Sequence, residues 1–248
     1  MAAVSVIEAS QLAKSFWIPS ARRETLREHA LHLFRRRSFE RLDVLRSVSF
    51  EVRAGETLGI MGRNGSGKST LLKIICGIYR ADGGALRVRA PITPILELGL
   101  GWNPELDGVD NVLLIGTAMG LSLREARDSL DEILAFAGLE RFAGMPLKHY
   151  SSGMAARLAY SVAFKAVRDV LVLDEVFAVG DQEFRARCEA RYRELSAQGH
   201  TVVLVSHEPR IVSAFCTRAV LLEGGTIVKE GSGEDVVRDY AERMAAAC

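Results

Sequence analysis

The sequence predicts an α/β protein built on a mainly parallel sheet, and three observations lead there. Apolar runs of strand length alternate with stretches of helical spacing: residues 57–61 then 70–77, and 170–173 then 182–197 then 201–205. That alternation implies parallel strands with helices covering both faces. The first of these strands runs into Gly62-Arg63-Asn64-Gly65-Ser66-Gly67-Lys68-Ser69-Thr70, a G-x-x-x-x-G-K-[ST] loop placed between strand and helix. From about Asp107 to Lys165 the spacing is helical throughout, so a helical lobe, residues 100–165, is inserted between that loop and the strand at Val170.

Composition narrows the class. The 248 residues can bury a sizeable core, and 48% apolar with 25% charged residues is ordinary for a globular protein. A net charge of +1, from 32 basic and 31 acidic residues, gives no field that would recruit nucleic acid. Cys76, Cys188, Cys216 and Cys248 are scattered without a C-x-x-C pair, which suits a reducing cytosol better than a disulfide framework or zinc site. The first residues lack a signal-peptide pattern, and no run approaches the roughly 20 apolar residues that span a bilayer. Any work at a membrane is expected to pass through a partner.

Taken in order, residues 4–12 alternate as an edge strand would and lead to Phe16-Trp17. Residues 20–46 form a basic insertion: eight arginines against four acids, net +4, with Leu26, Ala30, Leu33 and Phe34 at the spacing of a short amphipathic helix. Such a helix suits lipid headgroups or an anionic substrate, or is simply a solvated surface element. Residues 48–52 alternate before the Ala54-Gly55 turn, and Ala81-Asp82-Gly83-Gly84 turns into a short strand, 85–89. Within the helical lobe Leu130, Ile133, Leu134 and Ala137 share one face, as do Leu158, Val162 and Ala163.

The candidate chemistry starts at the loop. Its glycines (Gly62, Gly65, Gly67) let backbone N–H groups converge on phosphate oxygens without a Cβ in the way. Asn64, Ser66 and Thr70 complete the cradle, Lys68 supplies a charge for the β- and γ-phosphates, and the Ser69 hydroxyl is placed to reach Mg²⁺. The helix leaving the loop aims its positive end at the anion. Asp174-Glu175 closes the Val170 strand: Asp174 can hold Mg²⁺ through water, and Glu175 can deprotonate an attacking water. His207 follows the next strand, where an imidazole can donate to a γ-phosphate oxygen. His29, His32, His149 and His200 read as surface residues. Ser151, Ser152 and Gly153 open a helix, either as ordinary caps or as a second phosphate clamp.

Together, residues 62–70, Tyr150-Ser151-Ser152-Gly153-Met154, Leu173-Asp174-Glu175, Ala178-Val179-Gly180-Asp181 and Ser206-His207 resemble the ATP-binding subunit of ABC transporters, in an order covering nearly the whole chain. The resemblance implies one P-loop NTPase domain over residues 1–248, with a mainly parallel core sheet, a small antiparallel β-subdomain and an inserted helical subdomain. It implies a head-to-tail homodimer holding two ATP molecules, each between the phosphate loop of one subunit and the signature residues 151–153 of the other. Glu175 becomes the catalytic carboxylate, His207 the γ-phosphate sensor, and Asp181 a subunit contact. Phe16 falls where the family stacks an aromatic ring on adenine.

Three departures narrow the likeness. The signature reads Tyr-Ser-Ser-Gly rather than Leu-Ser-Gly-Gly; the following loop reads Ala178-Val179-Gly180-Asp181 rather than Ser-Ala-Leu-Asp; and Glu97 stands where a Mg²⁺-linked glutamine is usual. With Leu96-Glu97-Leu98-Gly99 and Pro104-Glu105-Leu106, these segments look like the exporters of lipid-linked polysaccharides: O-antigen, teichoic acid and capsule chains. That likeness implies a separate transmembrane permease, a place at the cytoplasmic face of the bacterial inner membrane, and a gating role for the basic insertion, with Arg35-Arg36-Arg37 meeting a lipid pyrophosphate. The chain ends soon after Tyr240-Ala241-Glu242, so it is expected to lack the C-terminal carbohydrate-binding domain of some members. An ABC ATPase for another cargo, such as lipid or drug, and a soluble non-transport ABC protein remain the rival readings.

Overall fold

The computed structural model describes residues 4–19, 39–96, 101–174 and 180–246. Two sheets carry the fold. The smaller is antiparallel, with β1 (Ser5–Pro19) between β2 (Phe39–Arg53) and β4 (Gly83–Val88). The larger has six strands, ordered β5 (Ile92–Ile95), β6 (Val170–Asp174), β7 (Thr201–Ser206), β3 (Thr57–Met61), β8 (Arg218–Glu223) and β9 (Thr226–Gly231). Every pair in it is parallel except β8–β9. β3 and β7 are buried at every position, as strands with both faces covered must be.

Two expectations are corrected here. β1 is the central strand of its sheet, not an edge, because β2 and β4 each pair with one of its sides. Alternation reports that one face is buried, with Ile7 and Ala9 inside, and is silent on how many ladder edges are used; a register shift after Ala9 brings Leu12 to the same core. Residues 39–46, expected inside the basic insertion, belong to β2 and pair with β1 out to Pro19↔Phe39. Their charged side chains face water and hide the strand. The helix expected at residues 26–34 lies outside the described residues.

Helices cover the larger sheet: α1 (Lys68–Ile75), α6 (Gln182–Ala197), α7 (Pro209–Phe215) and α8 (Gly233–Ala246). A separate lobe comprises α2 (Gly108–Ala118), α3 (Leu123–Asp128), α4 (Leu130–Ala137) and α5 (Ser152–Lys165). It has its own core, in which Val112, Ile133, Leu134, Leu158 and Val162 pack together. Asp107 caps α2 and Ser122 with Glu125 forms a capping box on α3, so the polar residues of this lobe sit where free N–H groups need them. The end of α5 is fixed to the sheet edge, where the Thr93 hydroxyl donates to Ala166 O and accepts from Arg168 N.

Candidate nucleotide site

Register alone gathers the predicted chemistry. Met61, last in β3, lies opposite Ser206, last in β7; Asp174, last in β6, lies opposite Val205. The phosphate loop, Asp174 and His207 therefore leave the same carboxyl edge of three adjacent parallel strands, where open α/β sheets bind ligands.

The loop's glycines are there for space. A Cβ on Gly62 would lie 2.3 Å from Leu222 O, and one on Gly67 would lie 2.8 Å from Leu45 Cδ2 and 3.0 Å from Val44 O. Gly67 also has φ of 105°, a left-handed conformation that side chains resist. The Lys68 ammonium donates to Gly62 O at 2.8 Å and Arg63 O at 2.9 Å, folding back across the loop while only 6% exposed. Ser69 Oγ donates to Asp174 Oδ2 at 3.3 Å, although 105 residues separate them.

An open cleft of about 620 Å³ runs along this loop, lined by Leu42, Val44, Asn64, Gly65, Gly67, Lys68, Ser69, Thr70, Leu96 and Asp174. The residues fit a nucleotide polyphosphate. The N-terminus of α1 has no side-chain cap, and Ser66 Oγ is buried with no hydrogen-bond partner among the described residues. They also fit Mg²⁺: a hydroxyl and a carboxylate side by side are hard oxygen donors. No cluster of three or more His, Cys, Asp or Glu side chains is ready to hold a metal among the described residues. Two protein oxygens, with waters and phosphates completing the shell, is how Mg²⁺ is usually held.

The other predicted residues divide. Glu97 and Glu175 lie outside the described residues. His207 is exposed at the mouth of the edge. Phe16 is half-buried and pairs across the ladder with Leu42, which lines the cleft. Ser151, Ser152 and Gly153 are exposed and contribute nothing to the described lining of the cleft. Ser151 Oγ accepts from Met154 N at 3.2 Å, so its hydroxyl is engaged as the α5 cap. Asp181 likewise caps α6, accepting from Phe184 N at 2.8 Å, and its other oxygen lies 3.6 Å from Arg157 of α5. Leu42 and Val44 escaped the sequence reading, and Leu96 entered it only as part of the Leu96-Glu97-Leu98-Gly99 segment: only the fold brings these ordinary apolar residues to the loop.

Fold and site together define a phosphate-loop nucleotide-binding protein with an inserted helical lobe. The family pattern described as "ABC transporter" matches residues 45–178. The chain belongs to that family as an ATP-binding subunit, related to O-antigen and teichoic-acid export ATPases. It is 45% identical over 196 residues to the ABC transporter protein AbcA of Aeromonas salmonicida, covering 79% of this chain and 64% of AbcA. With the O-antigen export ATP-binding protein RfbB of Klebsiella pneumoniae identity is 37%, covering 81% of this chain and 82% of RfbB. With the teichoic acids export ATP-binding protein TagH of Levilactobacillus brevis identity is 40%, and this chain spans 55% of TagH. The chain thus spans less than two thirds of several relatives it matches. Among solved structures, an ATP-binding subunit of an ABC transporter superimposes with a TM-score of 0.76 at 25% identity, covering 96% of this chain and 94% of that one. A dimeric ATP-binding cassette bound to ADP and phosphate gives 0.72 at 23% identity, a likeness of fold. No helix among the described residues is long and apolar enough to cross a membrane.

Proposed function

We propose that this chain hydrolyses ATP to drive export of a lipid-linked polysaccharide through a separate transmembrane permease, working as a head-to-tail homodimer at the cytoplasmic face of the inner membrane. The observation that carries the ATPase reading is the Ser69–Asp174 contact beside the uncapped N-terminus of α1. Cargo is supported by the names of the relatives, RfbB and TagH, and by the altered signature and following loop.

In this reading Lys68 and the loop N–H groups bind the β- and γ-phosphates, and Ser69 and Asp174 hold Mg²⁺. Mg²⁺ held there would supply charge neutralisation for the phosphates. Glu175 takes a proton as water attacks the γ-phosphorus, the bond to the β–γ bridging oxygen breaks, and His207 donates to a γ-oxygen. Ser151, Ser152 and Gly153 of the second copy close over the γ-phosphate, with Asp181 at the subunit contact, and Phe16 stacks on adenine. Glu97 is proposed to face the Mg²⁺ shell toward the permease. Arg35-Arg36-Arg37 is proposed to meet the lipid pyrophosphate; reversing those three charges is expected to block export while ATP binding persists.

The test is Glu175→Gln in the native host, scoring lipid-linked glycan inside the cell against glycan on its surface. Accumulation inside supports polysaccharide export and identifies the cargo by composition. An unchanged distribution, despite an ATP-bound dimer, leaves an ABC ATPase with another cargo or with none.

A further inference from the structure

The described residues hold a second aromatic, Tyr79, that neither the phosphate loop nor the signature requires. Its ring meets Phe16 in an edge-to-face contact, with centroids 5.6 Å apart and planes at 66°. Lys14 Nζ lies 5.4 Å from the Phe16 centroid and is itself held by Asp82 Oδ1 at 2.8 Å. The other Asp82 oxygen accepts from Ser15 N at 2.7 Å. Phe16 is thus fixed by its ring, by the cation stacked on it, and by the backbone just before it.

Tyr79 is fixed in turn to the phosphate end of the site. α1 begins at Lys68 and ends at Ile75; just beyond, Ile78 N and Tyr79 N both donate to Lys73 O, at 2.8 and 3.0 Å. Lys73 Nζ also sits 5.6 Å from the Tyr79 centroid. One short helix therefore presents Lys68 and Ser69 at one end and holds Tyr79 at the other. Through Tyr79 it holds Phe16, whose cross-strand partner Leu42 lines the phosphate cleft.

We infer that Tyr79 and Asp82 are positioning residues that set Phe16 in register with the phosphate loop, so that an adenine base and its polyphosphate are bound together. The inference rests on reading Phe16 as the base platform. It accounts for an aromatic on the trailing end of α1 and for Asp82 holding two adjacent residues of β1.

The experiment measures equilibrium displacement of a fluorescent ATP analogue by ATP and by inorganic tripolyphosphate, which has no base. Tyr79→Leu keeps an apolar side chain but removes the ring edge. It is expected to weaken ATP by about three- to tenfold, the range for an aromatic pair, and to leave tripolyphosphate unchanged. Tyr79→Phe is expected to restore native ATP binding, and Asp82→Asn to give a smaller loss of the same kind. Equal weakening of ATP and tripolyphosphate in Tyr79→Leu would reduce Tyr79 to a packing residue of α1 and overturn the inference. So would native ATP binding in Tyr79→Leu when Phe16→Ala loses it. Native binding in Phe16→Ala would remove the base platform and the inference with it. Failure of the native chain to bind either competitor would instead overturn the nucleotide reading of the whole site.

Discussion

Two helix N-termini in this molecule begin in serine- and glycine-rich turns, and they are built in opposite ways. α1 opens on Gly67, left-handed and without a side-chain cap, over a loop whose Ser66, Gly67 and Lys68 are buried while Arg63, Asn64 and Gly65 are exposed. α5 opens on Ser151, whose hydroxyl satisfies Met154 N, and its first turn is exposed. A capped helix start satisfies one of its own free donors; an uncapped one leaves them to its surroundings and is ready for an anion. The contrast separates an uncapped helix start that lines the cleft of its own chain from a capped one that does not, and whose proposed phosphate is bound by another chain.

Substitutions can break that comparison, beginning with the strongest. Lys68→Ala removes a charged donor from the open end and should cut ATP affinity on the order of 100-fold, read by nucleotide titration. Gly62→Ala places a methyl 2.3 Å from Leu222 O, so the loop must move; a loss of about 2 kcal/mol in denaturant unfolding is expected, with phosphate binding lost as well. At the capped end Ser151→Ala should cost about 1 kcal/mol of stability and leave nucleotide titration of the isolated chain unchanged.

Gly153→Ala sharpens the contrast most. A Cβ there meets only Ser151 Oγ, at 3.9 Å, and alanine favours the helix, so unfolding should be unchanged or harder by up to about 1 kcal/mol. Sedimentation of the same variant with ATP tests the partner role: a dimer that forms as in the native chain would leave α5 an ordinary capped helix.

The smallest effect concerns pH. Hydrogen bonding from Lys14, then from Ser15 N, holds the Asp82 carboxyl below its usual value. A depressed carboxylate stabilises the fold above the unfolded value, about 3.9, and loses that contribution as pH falls through the folded one. The melting-temperature gap between the native chain and Asp82→Asn should therefore hold at neutral pH and close below about pH 4.

What could be read from sequence follows from how local each signal is. The phosphate loop is nine consecutive residues, and Asp174 ends an apolar run, so both were legible. Gln182–Ala197 was found at its observed bounds because its neighbours are short, distinct strands. β8 carries the same buried-run signal as β6, in Ala219 to Leu222, and was legible by the same rule though not assigned. β5 was obscured by Pro94, which an edge strand tolerates, and β5 is at the sheet edge. Leu42 and Tyr79 could not have been found: their significance lies in partners 26 and 63 positions away, Phe16 in both cases, and an apolar or aromatic residue has no local mark for that.

The pairing of Pro19 with Phe39 has a consequence for how such a chain can change over generations. The two ends of whatever lies between them are already joined by the last rung of a ladder, so the cost of closing that loop grows only with the logarithm of its length. Insertions and deletions there leave the register below untouched, down to the rung where Phe16 meets Leu42. The length of chain between the two strands and the geometry at the base of their ladder can then vary separately on one gene.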